Sequence, residues 1–143
     1  MKHPPGRLLL AYLAALGCFL LLDACWLALM GPRLYRPAIG ALMAAEVDWP
    51  AAGLFYLLYL FGLLAFAILP ALDRRQPGLA ARLGALLGLV AYGTYDLTNQ
   101  ATLLGWPWAI TLADLAWGTV ASAGAAWAAT RLTCRPASRT GGR

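Results

Sequence analysis

Charge is what this 143-residue chain has least of: 12% of its residues are charged and 62% are apolar. An average soluble domain carries roughly 25% charged residues. That scarcity excludes a disordered chain and an ordinary water-soluble enzyme. Histidine is almost absent. His3 is the only one and lies in a terminal segment, which excludes a histidine-based metal centre, a Ser-His-Asp triad and haem ligation by histidine. Cysteine is scarce as well. Cys18 and Cys25 stand seven apart on one predicted helix, about 10 Å along its axis, too far for one disulfide or one metal ion. Cys134 falls on the side expected to be reducing. No glycine-rich loop ends in Lys-Ser or Lys-Thr, so nucleotide-phosphate chemistry has no support. No cofactor and no metal are expected.

Apolar length is what the chain does have. Residues 8–30 contain one charge, Asp23, and residues 50–72 contain none. Residues 79–99 carry Arg82 near their start and Asp96 near their end, and 107–130 carry Asp114 alone. About 20 apolar residues cross a bilayer, so each stretch predicts a transmembrane helix. Pro32, Pro50, Pro70, Pro77, Pro107 and Pro136 fall at or beyond the predicted span ends, where a missing N–H costs least. The expected fold is an all-α integral membrane protein: a four-transmembrane-helix bundle forming a single membrane domain over 1–143, with a basic tail at 131–143. No room remains for a separate catalytic domain in water.

Orientation follows from Lys and Arg. Lys2, Arg7, Arg74, Arg75, Arg82, Arg131, Arg135, Arg139 and Arg143 fall on one side of the predicted bundle, and only Arg33 and Arg36 on the other. Both termini are therefore expected to be cytoplasmic, in a multi-pass protein of a bacterial inner (plasma) membrane. The same count explains the basic tail without nucleic acid. Leu22-Asp23-Ala24-Cys25 imitates a lipoprotein cleavage box, but an acidic residue replaces the small neutral one and the apolar run continues to Met30.

A carboxyl group in the hydrocarbon core is expensive and points to function by default. At 1.5 Å per residue, Asp23, Asp96 and Asp114 all fall in the outer half of their spans. Tyr56 and Tyr59 reach that level from the second span, and Tyr92, Tyr95 and Asn99 flank Asp96. Trp26 follows Asp23 by three and Trp117 follows Asp114 by three, so each pair shares a helix face. No Lys or Arg inside the layer neutralises the acids, and only Arg33 is placed to reach down. One carboxyl is then expected to be protonated or paired with a ligand cation. Buried Asp can also staple helices through Trp, Tyr or backbone, and Trp49, Trp106 and Trp108 suit an aromatic belt at the interface.

Small residues repeat at helical spacing. Gly84 and Gly88 on the third span, and Gly118, Ser122 and Ala126 on the fourth, form ridges that let backbones approach closely, within the bundle or across a homodimer or larger complex. Aligning Asp23-x-x-Trp26 with Asp96-x-x-Asn99, and Trp49-Pro50 with Trp106-Pro107, suggests a two-hairpin internal repeat.

Several stretches are also similar to a known family. Leu22-Asp23-x-x-Trp26-Leu27, Trp49-Pro50-Ala51-Ala52 and Phe55-Tyr56-Leu57-Leu58-Tyr59 match its first half. Gly93-Thr94-Tyr95-Asp96-Leu97-Thr98-Asn99, Gly105-Trp106-Pro107 and Asp114-Leu115-x-Trp117-Gly118 match its second. The chain resembles, over about residues 8 to 130, the small bacterial membrane proteins grouped as domain of unknown function 2177. Gln100 departs from the family pattern, where an apolar residue is usual. The resemblance implies a four-helix inner-membrane protein, and it implies no activity. Its signature residues coincide with the polar layer.

Three functions compete on these residues. The first is a pocket for a membrane lipid or other hydrophobic small molecule, either bound or altered by acid–base chemistry. In it Asp96 serves as base, Asp114 as acid and Asp23 as the orienting group. Trp26, Tyr56, Tyr59, Tyr92, Tyr95, Asn99 and Trp117 form the walls. The second is a proton-coupled carrier working as a dimer, against which the apolar cytoplasmic halves of the spans argue. The third is an accessory subunit whose acids are structural staples.

Overall fold

A proline stands at or beside the start of each long helix, because the first-turn N–H groups lack intrahelical acceptors and a proline loses nothing there. In a computed structural model that describes residues 3–134, α1 spans Pro5–Leu42, α2 Trp49–Arg74, α3 Pro77–Thr102 and α4 Trp108–Thr133. Lys2, Arg135, Arg139 and Arg143 lie outside the described residues, and with them most of the basic tail. Asp48 caps α2, its Oδ1 accepting the Ala51 N–H at 3.0 Å. Arg75 closes the same helix in the left-handed conformation (φ 54°), which makes the connection to α3 very short. The ends of α2, α3 and α4 fall within one to three residues of the expected spans. α1 does not end at Met30. It continues to Leu42 through what the sequence suggested was a loop.

The continuation depends on a widened turn. Residues Gly31–Tyr35 form a π segment, with the Arg36 N–H bonded back to Gly31 O. A second π segment, Leu64–Ile68, lies inside α2. Each ends two residues before a proline, Pro37 and Pro70 respectively. A proline within a helix cannot donate to the carbonyl four residues back and its ring presses on that carbonyl. Widening the preceding turn relieves the conflict without ending the helix. Pro32, Pro37 and Pro70 therefore lie inside helices, where the sequence placed Pro32 and Pro70 at span ends.

α4 buries more of its residues than any other helix and packs most extensively on α3, then on α1. The α3–α4 seam is built from the small residues. A Cβ at Gly84 would lie 2.7 Å from Ser122 O, and one at Gly88 would overlap Gly118 O. The ridges that suited either a bundle or a dimer meet each other within one chain. On the other side of α4, Ala11, Ala15 and Phe19 of α1 and Leu60, Leu63, Ala67 and Ile68 of α2 complete the core with Ala121, Ala125 and Ala129. The start of α1 is tied to the ends of α4 and α2: Arg7 Nε donates to Thr133 O at 3.1 Å, and His3 Nε2 lies 3.0 Å from Asp73 Oδ1. Consecutive helices therefore run antiparallel.

Large apolar side chains also face outward. Leu9, Leu13 and Leu21 on α1 and Leu54, Leu58, Phe61 and Phe66 on α2 are exposed, which is how a helix reads when apolar on every face. α1 and α2 are long and apolar enough to cross a membrane; α3 and α4, at 26 residues each, carry more Gly, Ala, Thr and Ser.

Gly88→Ala is expected to destabilise the fold by roughly 1–3 kcal/mol, because the seam leaves no room for a methyl group. Gly17→Ala, which meets nothing within 4 Å, is expected to be neutral or mildly stabilising. Thermal melting of the two variants in mild detergent, followed by helical circular dichroism, checks both.

Candidate functional site

Asp23-x-x-Trp26 on α1 and Asp114-x-x-Trp117 on α4 have the same spacing on helices that run in opposite directions. The three-residue offset puts each Trp on the face of its own Asp, and the antiparallel sense sets each Trp beside the other helix's Asp. Trp117 Nε1 donates to Asp23 Oδ1 at 3.3 Å. Trp26 Nε1 donates to the Tyr35 hydroxyl at 2.8 Å, and that hydroxyl donates to Asp114 Oδ1. Between the acids the two indoles stack, with ring centroids 4.5 Å apart and planes within 5°. From α2, the Tyr56 hydroxyl donates to Asp23 Oδ2 at 2.5 Å. Both carboxyls are 8% exposed. Hydrogen bonds to a charged acceptor contribute roughly 1.5–3 kcal/mol each, so the donors offset much of the cost of this burial.

Tyr35 was not among the residues expected here. It lies on the continuation of α1, and even a helix drawn through it would mislead. Nine residues at 3.6 per turn place it about 180° from Trp26. The π segment holds one residue more than a regular turn, so Tyr35 comes round to the phase of an eight-residue, same-face offset. Two prolines in quick succession after Gly31 are the only sequence signal for it.

A cavity of about 450 Å³ opens beside the network. Of the expected residues, Asp23, Trp26, Tyr92, Tyr95, Asp114 and Trp117 line it; Tyr35, Leu27, Phe55 and Ala91 complete the wall. Asp114 Oδ2 and the Tyr92 hydroxyl accept or donate no hydrogen bond among the described residues. Tyr56 stands behind Asp23. Tyr59 is buried, shares a 2.6 Å hydrogen bond with Ser122 Oγ and lines the neighbouring trough between α2 and α3.

Asp96 and Asn99 are not brought to the cavity. Asp96 is 0% exposed, and neither of its oxygens has a hydrogen-bond partner among the described residues. The Trp106 indole lies close by, but its N–H donates to Thr111 Oγ1 at 3.2 Å. Asn99 is half-buried and its side chain makes no hydrogen bond among the described residues. Rise per residue fixes a level along the bundle but not a direction around it, so a common depth did not mean a common pocket. Asp23 and Asp96, equivalent in the hairpin alignment, have different surroundings. Arg33 is exposed, and no ion pair joins any of the three acids to a basic group among the described residues.

Trp106 is also not in an interfacial belt. It is 6% exposed, turned inward by Gly105, whose φ of 76° suits glycine. Gln100 holds it there: its Nε2 donates to Trp106 O at 3.0 Å and its Oε1 accepts from Thr111 Oγ1 at 3.2 Å. The residue that departs from the family pattern is thus a clamp on the α3–α4 turn.

Tyr35→Phe is expected to cost roughly 1–3 kcal/mol, because it removes the donor to Asp114 and the acceptor of Trp26 at once. Tyr12→Phe is expected to cost under about 0.5 kcal/mol, since its exposed hydroxyl only adds to a helical carbonyl, Leu57 O. Melting temperature ranks them. Near-ultraviolet circular dichroism of the stacked indoles is expected to weaken in Tyr35→Phe alone.

Comparison with curated proteins and with solved structures gives no match. A family model does match, over residues 8–131, and takes in every side chain of the network and the cavity. The chain belongs to the family described as "Predicted membrane protein (DUF2177)".

Proposed function

We propose that this protein crosses the bacterial inner membrane four times, with both termini cytoplasmic, and binds a lipid-like molecule in the cavity between α1, α3 and α4. The observation that carries this is a cavity with two carboxyls among indole and phenol rings and an otherwise apolar lining. Ligand pockets combine an apolar wall with a few converging polar groups in this way. The exposed leucines and phenylalanines of α1 and α2 suit contact with acyl chains. If acid–base chemistry occurs on the ligand, Asp114 is the better candidate for it, because Asp114 lines the cavity and Asp96 does not. The Tyr35 hydroxyl, bonded to both Asp114 and Trp26, is the orienting partner of that acid.

Binding is favoured over proton-coupled transport by what lies below the site. Past the Tyr59–Ser122 hydrogen bond, the core between α1, α2 and α4 is Leu60, Leu63, Ala67, Ile68, Ala121, Ala125 and Ala129. Apart from Tyr12 and the buried hydroxyls of Thr130 and Thr133, that half of the bundle offers a proton or polar solute few stepping stones toward the opposite face.

Native mass spectrometry of protein extracted in mild detergent tests the proposal. Wild-type protein is expected to carry a retained small amphiphile that Ala91→Trp, which fills the cavity, releases without unfolding the bundle. Identical spectra for the two proteins would remove the proposal's basis.

A further inference from the structure

The cavity beside Asp114 does not end at its own wall. Phe55 and Ala91 line it and also line a second cavity of about 430 Å³. That second cavity runs between α2 and α3 past Leu58, Phe61, Phe66 and Leu87. The two cavities adjoin at Phe55 and Ala91 and together form a line that is polar at one end and apolar along the rest. From Phe55 to Phe66 the trough follows α2 for about 16 Å, room for an alkyl chain of medium length. The outer half of α2 packs on α1 and leaves α3, while its π segment returns to α3. The trough occupies that opening.

The polar end is distinctive in sign. It holds the carboxyls of Asp23 and Asp114, with no Lys, Arg or His in ion-pair range of either among the described residues. Asp23 has donors on both oxygens, from Tyr56 and Trp117. Asp114 is more than nine-tenths buried and lines the cavity, yet its Oδ2 receives no hydrogen bond among the described residues. A carboxylate oxygen in that position accepts and never donates. Around it stand the rings of Trp26, Trp117, Tyr92 and Tyr95, whose faces attract cations. An anionic head group would face two carboxyls with only the Tyr92 hydroxyl free to donate to it, and a neutral one would bring hydrogen bonds but no counter-charge.

We propose that the ligand is a cationic amphiphile, its ammonium head seated against Asp114 and the indole pair, its single alkyl chain lying in the trough between α2 and α3. This rests on the binding function proposed above and names the chemistry of its ligand. The head-group preference comes from Asp114 with Asp23, and the chain site from Phe55, Ala91 and the residues beyond them.

The test uses the full chain in nanodiscs of a digalactosyl diacylglycerol, a lipid with neither an amine nor a net charge, so that the bilayer itself does not sort the probes by charge. Dodecylammonium, dodecyltrimethylammonium, dodecanol and dodecanoate share one chain and differ in the head, and tryptophan fluorescence reports their binding. Both ammonium compounds are expected to bind at least about tenfold tighter than dodecanol, with dodecanoate weakest. Asp114→Asn keeps an acceptor for Tyr35 and is expected to erase the ammonium preference while leaving dodecanol binding unchanged. Asp23→Asn serves the same purpose should Asp114→Asn melt early. Equal affinities for ammonium and alcohol, both abolished by Ala91→Trp, would overturn the cationic head group and leave the pocket standing. Binding of every probe unaffected by Ala91→Trp would overturn the pocket as well.

Discussion

A carboxyl group in apolar surroundings is costly without hydrogen-bond donors from elsewhere in the chain, and the half of this bundle away from the termini supplies them to Asp23 and Asp114. Asp23 takes its donors from α2 and α4, and Asp114 takes its donor from the far end of α1. The bonds from Trp117 and Tyr35 therefore tie together α1 and α4, the first and last helices of the chain. The indole stack lies between the two acids and fixes the distance between α1 and α4. Once that distance is set, the space left beside the stack is the cavity. Stability and the cavity are consequences of one requirement.

The α3–α4 seam supplies the complementary condition. Glycines bring those two backbones into direct contact, and the Tyr92 ring packs onto Gly118 where a larger residue would stand. The tightness of that seam keeps α3 from filling the space opposite Phe55. The trough between α2 and α3 exists because α3 is held close to α4, while the first half of α2 follows Tyr56 toward α1. The clamp of Gln100 on Trp106 and Thr111 holds the end of the same seam.

Much of this was legible in the sequence. Charge-poor stretches gave the helices, because runs of apolar residues bounded by proline and charge have few alternatives. The Asp-x-x-Trp pairs and the glycine ridges were visible as spacings, and spacings report faces. What spacing does not report is which face meets which partner. Asp96, expected at the level of Asp23 and Asp114, does not line the cavity with them, while Trp106, which suited a lipid-facing belt, folds inward at a left-handed glycine. Tyr35 was hidden for a different reason. Prolines after Gly31 suggested an end, and a helix that widens instead of ending leaves almost the same trace.

That widened turn has a consequence for how the segment tolerates change. Between Trp26 and Tyr35 the side chains at Leu29, Pro32, Arg33 and Leu34 contribute nothing to the bonded chain of Trp26, Tyr35 and Asp114. Their number contributes everything. Losing one residue here would turn Tyr35 by about 100° relative to Trp26 and carry its hydroxyl away from Asp114. Relatives of this chain can therefore differ in spelling at Leu29, Arg33 and Leu34 but are expected to agree in count across the stretch. A gap in an alignment here would speak to the acid site as directly as a replaced aspartate.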